Sequence, residues 1–220
     1  MYEKFGQFID GKWQASSNKE TYEVINPANE EVIGRASKAT PEDVDRALKS
    51  AEKGLEVWKK TSPWKRSSVI RKIADLIRAK QDVLAKWITI EVGKPFLEGK
   101  GEVGATADIF EWNSEETKRI YGQTVESRFE DTRIHVYYQP IGVVAAMSPW
   151  NFPLVLSGRK ISTALAAGCS VIIKPDVIAP GGVMELVDIC REAGVPPGVV
   201  NLLSGDPPSI ASQLISSDII

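Results

Sequence analysis

Histidine and cysteine are almost missing from this 220-residue chain, which holds one histidine, His135, and two cysteines, Cys169 and Cys190. One imidazole and two widely separated thiols cannot build a disulfide framework or a zinc site, so no metal is expected. Long apolar runs are absent too. The most apolar helical stretch is broken by Ser162 and Thr163, well short of the ~20 residues a membrane-spanning helix needs. The opening Met1-Tyr2-Glu3-Lys4-Phe5-Gly6 has no basic region leading into an apolar one, so it does not read as a secretory signal. Nor is there an excess of one charge: 27 Lys and Arg face 29 Asp and Glu, a formal net charge of −2. The signs are mixed along the chain, and the basic stripe that a nucleic-acid or anionic-membrane partner favours is lacking. No internal repeat or low-complexity segment is found. These features lead us to expect a soluble, cytoplasmic protein with neither nucleic acid nor membrane as partner.

What is present is organised around the stretch from Ile141 to Gly205. Short runs rich in Val and Ile, such as Ile141-Gly142-Val143-Val144-Ala145-Ala146-Met147, Ser170-Val171-Ile172-Ile173-Lys174 and Val199-Val200-Asn201-Leu202-Leu203, are each closed by Pro, Gly or Ser. Strands buried on both faces of a parallel sheet look like this. The segments between them are long enough for the crossover helices that parallel strands require. Ligands bind such sheets at the carboxyl ends of the strands, which here carry Ser148-Pro149-Trp150-Asn151, Lys174-Pro175 and Ser204-Gly205. Beyond Pro207–Ile215, read as a helix, Asp218-Ile219-Ile220 resembles the opening of another strand. Three parallel strands alone would leave a raw sheet edge, and the expectation is therefore a truncated or split protein.

Upstream, Asp10-Gly11 between apolar residues predicts a two-residue hairpin turn, and Asn26-Pro27-Ala28-Asn29 a second strand–turn–strand unit. Thr40-Pro41-Glu42-Asp43 predicts a helix start with Thr40 as cap, Pro41 in the first turn and acids at the positive dipole end. Val44, Ala47, Leu48, Ala51, Leu55 and Trp58 then recur at helical spacing. Ser62-Pro63 predicts another helix, with Val69, Ile70, Ile73, Leu76 and Ile77 inward. A third helix carries Val83, Leu84, Trp87 and Ile88 and stops near Gly93-Lys94-Pro95. A fourth runs from about Phe96 to Tyr121, bearing Val103, Ile109 and Phe110. Aromatics at this core-facing spacing read as packing rather than as a cofactor box. From Thr132 to Gln139, Arg133, His135 and Tyr137 alternate with Ile134, Val136 and Tyr138, predicting a strand with one wet face that projects for pairing with another subunit. No Asp or Ser is spaced to support a catalytic His135, so it reads as a strand-face residue.

The Gly-x-Gly-x-x-Gly of many nucleotide-binding sheets is absent. Pro149-Trp150-Asn151-Phe152-Pro153 stands in its place, an extended loop stiffened by two prolines. Asn151 offers two amide N–H donors, the equipment for steadying a developing oxyanion; a turn-capping Asn is the equal alternative. Lys174 at a strand end can reach a ribose hydroxyl or a phosphate, against the alternative, slightly favoured by the residues alone, of a solvated strand-end lysine. Arg159 and Lys160 are adjacent on the next helix, which sends them to different sides, one into the site and the other to the surface.

Taken together, Met147-Ser148-Pro149-Trp150-Asn151-Phe152-Pro153, Ala166-Ala167-Gly168-Cys169-Ser170-Val171-Ile172-Ile173-Lys174-Pro175 and Glu192-Ala193-Gly194-Val195-Pro196-Pro197-Gly198-Val199-Val200-Asn201 resemble the aldehyde dehydrogenase superfamily. Phe8-Ile9-Asp10-Gly11-Lys12-Trp13, Asn26-Pro27-Ala28 and Glu91-Val92-Gly93-Lys94-Pro95 support the match, which runs in order from about residue 7 to the last. The resemblance implies an α/β fold: a Rossmann-like open parallel sheet with helices on both faces, a helical N-terminal region and a protruding β ribbon. It divides the chain into residues 1–125, the first part of a cofactor-binding domain; 126–139, an oligomerisation ribbon strand; and 140–220, an incomplete Rossmann-like core. It implies NAD(P)-dependent oxidation of an aldehyde to a carboxylic acid through a cysteine thiohemiacetal, with a glutamate activating water. In that pattern Asn151 helps hold the oxyanion, and Lys160 matches a lysine proposed to move protons. Lys174 meets the adenosine ribose, and Met147, Ser148, Pro149 and Trp150 line the cofactor groove. A homo-oligomer, dimer or tetramer, is implied through the ribbon.

Three departures qualify the match. The family's nucleophilic cysteine, glutamate base and Gly-Ser nucleotide loop lie beyond where this chain stops, and Cys169 and Cys190 read as buried thiols. Val177, with Asp176 beside it, stands where NAD-preferring members commonly carry glutamate; without that carboxylate a 2′-phosphate meets less repulsion, so NADP as well as NAD is expected to be accepted. Asp206-Pro207 after Gly205 replaces a further glycine of many relatives, which puts a close backbone approach to the cofactor there in question. Arg159 resembles members acting on semialdehydes with a distal carboxylate, a group that a guanidinium pairs well with, although relatives acting on aromatic aldehydes carry it too. The alternative reading is a noncatalytic remnant that binds nucleotide or a partner subunit. A second is an acyl-phosphate or acyl-CoA reductase on the same fold, which the Pro-Trp-Asn-Phe-Pro sequence fits less well.

Overall fold

The structure, a computed structural model, describes residues 2–220. Asp10 and Gly11 take φ of 54° and 75°, the left-handed pair of a primed turn, and close Gln7–Ile9 (β1) and Lys12–Gln14 (β2) into the expected hairpin. Thr21–Ile25 (β3) and Val32–Ser37 (β4) form a second antiparallel pair. Pro41–Trp58 (α1) starts on a complete capping box, Thr40 accepting from the Asp43 N–H while the Asp43 carboxylate accepts from Thr40. Pro63–Ala79 (α2), Gln81–Val92 (α3) and Phe96–Glu116 (α4) follow. Gly93 ends α3 in the left-handed conformation at φ 76°, where a side chain would be strained.

The structure refines two helical expectations. Of the apolar residues carried by α3, Val83 is exposed, because Leu84, Ala85, Trp87 and Ile88 form the buried stripe and Val83 lies about 100° round the helix from Leu84. The fourth helix stops at Glu116 instead of Tyr121 and tightens into a 3-10 turn over Thr117–Arg119, where the Thr117 hydroxyl donates to the Asn113 carbonyl at 2.6 Å. Trp58, Trp87 and Phe110 are buried, in keeping with packing.

Gln123–Glu126 (β5) and Arg133–Val136 (β6) make a two-stranded ribbon. The sequence reading missed β5, and its single wet face is corrected: every residue of both strands is exposed, because among the described residues no layer packs on either side of the ribbon. His135 lies on it, its Nδ1 3.2 Å from the Thr124 hydroxyl.

Val143–Met147 (β7), Pro153–Ala167 (α5), Ser170–Lys174 (β8), Gly181–Ala193 (α6), Val200–Leu202 (β9) and Pro207–Ile215 (α7) complete the chain. β7, β8 and β9 are parallel and neighbours, as expected. The full sheet order is β2-β1-β9-β8-β7. The first hairpin therefore covers the β9 edge, with Phe8 opposite Leu202 in an antiparallel pairing, while the outer edge of β7 pairs with no strand among the described residues and is the raw edge expected of an incomplete sheet. Ser217–Ile220, read as the start of a strand, form a turn closed by the Ile220 N–H on the Ser217 carbonyl at 3.2 Å.

The sheet is covered on both faces. Ile172 packs with Ile9, Val44, Leu48, Leu203, Ile210 and Leu214 on the side of α1 and α7. Its neighbours Val171 and Ile173 point to the other side, into a larger core with Ile73, Leu84, Phe110, Leu154 and Leu186 from α2 to α6. This is the strand alternation of a doubly covered sheet. The α1 face comes very close at one point: a Cβ on Gly54 would stand 2.2 Å from the Gly198 carbonyl carbon, so only glycine fits.

Candidate functional site

The register of the parallel strands aligns their carboxyl ends. Met147 lies opposite Lys174, Ile173 lies opposite Leu202, and the Ser148 N–H donates to the Lys174 carbonyl at 3.2 Å. The residues expected from the sequence at these ends, Met147, Ser148, Lys174 and Gly205, are thus brought to one rim. Lys174 is buried, only 5% exposed, which corrects the solvated alternative. The β8 end is walled in by its neighbours, and burial pushes the ammonium pKa down against the opposing pull of Asp176 and Asp206. Its Nζ donates to no acceptor among the described residues. The side chain is packed in along its length while Nζ is not among the buried unpartnered atoms, so the ammonium opens onto the rim, where a ribose hydroxyl or phosphate can accept from it; the residues present fit a nucleotide.

The loop from Pro149 to Phe152 stands over this rim, with Pro149, Trp150, Asn151 and Phe152 all exposed. The Asn151 side chain makes no hydrogen bond among the described residues, and α5 has no side-chain cap, so the turn-capping alternative fails. The Asn151 amide is free. The loop is held from behind by a pair the sequence reading gave no role. Glu102 of α4 is buried, and its Oε1 accepts from the Leu154 N–H at 2.9 Å and the Val155 N–H at 3.4 Å, capping α5 from outside the helix. Its Oε2 pairs with Lys94 Nζ at 2.6 Å. Lys94 in turn donates to the Asn151 carbonyl at 3.1 Å and lies 3.7 Å from the Phe152 ring centroid, a cation–π contact. Behind the loop, the Ser148 and Ser157 hydroxyls bond at 2.6 Å. The exposed chemistry thus rests on a buried scaffold.

The other two strand ends are anchored similarly. Asp176 is half-buried and accepts the Ile178 N–H at 3.1 Å in an Asx turn, and Val177 beside it is half-buried. The segment from Lys174 is tied down at the start of α6, where the buried Glu91 accepts from the Gly181 N–H at 2.7 Å, the Gly182 N–H at 3.2 Å and the Tyr2 hydroxyl. At β9, Ser204 exchanges backbone bonds with the Gln7 amide at 2.8 and 3.0 Å, and its hydroxyl meets that of Tyr22 at 2.7 Å. Gly205 takes φ 146°, and a Cβ there would stand 2.8 Å from the Ala39 nitrogen. Its close approach is to the chain itself, while Asp206 accepts the Ser209 N–H at 3.0 Å and caps α7.

Arg159 and Lys160 do not part company as adjacency suggested. Both line one groove of about 520 Å³ along β7, with Val144, Met147, Thr163 and Cys169. The two side chains flank the space, because no strand pairs with the outer edge of β7 among the described residues. Lys160 donates to the Met147 carbonyl, which ties α5 to the rim. Cys169 and Cys190 are both buried and free, and burial pushes the Cys190 thiol up to about 12. The Cys190 thiol therefore stays protonated at neutral pH.

Glu102 and Glu91 are what sequence reasoning missed. Lys94 and Glu91 stood inside a quoted motif but without a task, and Glu102 sits mid-helix, where a carboxylate reads as solvated. Only a burial pattern with Glu102 beside Val103 and Thr106 hints otherwise.

An open sheet covered on both faces, with polar groups gathered at the carboxyl ends of its parallel strands, defines a dinucleotide-type α/β protein. More specifically, the chain belongs to the aldehyde dehydrogenase family: the family model described as "Aldehyde dehydrogenase family" matches residues 13–220. It is 40% identical over 213 residues to "Glutarate-semialdehyde dehydrogenase" of Pseudomonas aeruginosa, covering 97% of this chain and 44% of that protein. It is 38% identical over 212 residues to "Succinate-semialdehyde dehydrogenase [NADP(+)]" of Escherichia coli, covering 96% and 44%. The solved "E. coli NADP dependent enzyme" superposes with a TM-score of 0.97 at 36% identity, covering 100% of this chain and 46% of that one. The chain spans less than half the length of the relatives it matches.

Proposed function

We propose that this chain supplies the cofactor-binding part of an NAD(P)-dependent aldehyde dehydrogenase acting on a small acidic semialdehyde. The observation that carries it is Lys174, its stem buried and its Nζ without an acceptor among the described residues, at the same rim as the free Asn151 amide. In this reading Lys174 donates to the adenosine ribose, and the backbone from Met147 to Trp150 lines the cofactor, with Asp176, Val177 and Gly205 closing the rim. When bound, the nicotinamide accepts the hydride of the aldehyde carbon. Asn151 donates to the carbonyl oxygen as charge develops on it. Lys160 relays protons beside Met147, and Arg159 pairs with the substrate's distal carboxylate. With Cys169 and Cys190 buried, the attacking thiolate comes from outside residues 1–220. Residues 1–125 and 140–220 make up the cofactor domain, and the ribbon strand within 126–139 joins subunits of a cytoplasmic dimer or tetramer.

The names of relatives at 40% and 38% identity support the semialdehyde class. The absence of a carboxylate at Val177 supports acceptance of a 2′-phosphate. The test is to weigh the protein intact from its source and to assay reduction of NADP+ and NAD+ with succinate and glutarate semialdehydes. Lys174→Met should raise the cofactor KM by about tenfold or more, the loss of one charged hydrogen bond, with kcat little changed. An unchanged KM removes Lys174 from the cofactor, strict NAD preference removes the Val177 argument, and an unaltered substrate profile in Arg159→Leu removes the acidic substrate. No turnover with a mass of 220 residues would leave only the noncatalytic reading.

A further inference from the structure

Far from the strand-end rim, a hollow of about 440 Å³ opens where α2 begins, beside the turn between α5 and β8. Lys59, Lys60 and Arg66 line it together with Thr61, Ser62 and Tyr138, and no acidic side chain does. Arg66 is the unusual member. It is only 7% exposed, yet it has no carboxylate partner among the described residues. Its Nη1 donates to the Thr61 carbonyl at 2.7 Å, while its Nε is buried without any partner. The turn at Gly168 lies against the guanidinium, where a Cβ would be 3.2 Å from Nη1. Burial accordingly disfavours its charge. Glu56, which pairs with both Lys59 and Lys60, does not line the hollow, so the three cations there face no carboxylate of the lining. The start of α2 adds its positive dipole end, with the Ser62 hydroxyl accepting from Lys65 N–H at 3.3 Å and its own proton free to donate.

We propose that this hollow binds a small oxyanion of the phosphate or carboxylate class, held by Arg66 with Lys59 and Lys60 at the start of α2. A planar guanidinium buried without a counter-ion is what such an anion completes, and its fork suits two oxygens of one ligand. The site is separate from the proposed cofactor rim and does not depend on that reading.

Inorganic phosphate is the probe, titrated into the chain by calorimetry and thermal unfolding against sodium chloride of matched ionic strength. Phosphate should bind saturably, and at about 100 times its Kd it should raise Tm by several degrees. Lys59→Gln combined with Lys60→Gln, both on the surface and so expected to leave the fold intact, should weaken binding about tenfold or more. Arg66→Lys, which keeps the charge but not the fork, should weaken it as well, and Lys174→Met should leave it unchanged. No saturable binding above the chloride control overturns the proposal. So does equal binding by the double lysine variant, or loss of binding in Lys174→Met, which would place the phosphate at the strand-end rim. A stabilisation that grows with protein concentration would assign the cations to a carboxylate of a second copy and also refute a small-ion site.

Discussion

Replacing Glu102 should loosen the asparagine loop and the protein with it. Glu102 is 4% exposed and serves three partners: Lys94 Nζ at 2.6 Å and the N–H groups of Leu154 and Val155 at 2.9 and 3.4 Å. Glu102→Ala leaves the Lys94 ammonium, itself mostly buried, without its counter-charge. Removing one partner of a buried pair costs about 3–5 kcal/mol. The same change orphans the first N–H of α5, worth about 1–3 kcal/mol by itself. The two costs overlap because relaxation and water entry serve both, so we expect a loss of about 4 kcal/mol. Lys94→Met should cost less, since the Glu102 carboxylate keeps both backbone donors. Urea unfolding of the single and double variants gives the coupling, expected to exceed about 1.5 kcal/mol. Hydrogen exchange at Leu154 and Val155 should quicken in Glu102→Ala more than in the sheet strands, marking local release of the loop. A loss below about 1 kcal/mol, or strictly additive single changes, would refute the claim that this pair holds the loop.

The buried Glu91 should make stability depend on pH. Burial raises its pKa from 4.5 to about 7 against the three donors that bond it, so its contribution is fully present below pH 4.5 and is lost as pH rises through 7, a fall of about 3 kcal/mol. Glu91→Gln should flatten that part of the stability–pH curve, and an identical slope in the variant would show that other groups set it. Gly54→Ala should destabilise by about 3 kcal/mol or more, because the new methyl meets the Gly198 backbone at 2.2 Å and backbone cannot step aside cheaply; denaturant unfolding within about 0.5 kcal/mol of wild type would contradict the close approach. Thiol titration of the native chain at pH 8 should find both cysteines unreactive until denaturant is added, and rapid native labelling would mean that one of them reaches solvent.

Local chemistry made much of this protein readable. The Asp10-Gly11 turn, the Thr40 capping box, the Gly93 helix stop and the three Val/Ile-rich strands each depend on residues adjacent in sequence, and each stands where spacing put it. Where expectations failed, partners distant in the chain were responsible. β1 seals the β9 edge across 194 residues of chain from Phe8 to Leu202, and no local signal announces such a pairing. The ribbon was legible in one strand only, since Gln123-Thr124-Val125-Glu126 carries a single apolar residue and shows no alternation.

The strand-end site divides in the same way. Asn151 and Lys174 were legible as residue types at strand ends, because a parallel sheet presents those ends whatever else it does. Whether Lys174 is solvated or buried, and whether Asn151 is free or capping, could not be read from neighbours; packing against other elements decided both. Glu102, Glu91 and Arg66 carry their meaning only through burial. The same carboxylate or guanidinium is an ordinary solvated group on an exposed helix face, and becomes a cap, a strut or a counter-ion site once helices meet over it and water is excluded. The sequence by itself determined the order of elements, their caps and the groups available at the strand ends. Only the tertiary structure decided which charges lost their water, because dielectric environment belongs to the packed whole and not to any stretch of chain.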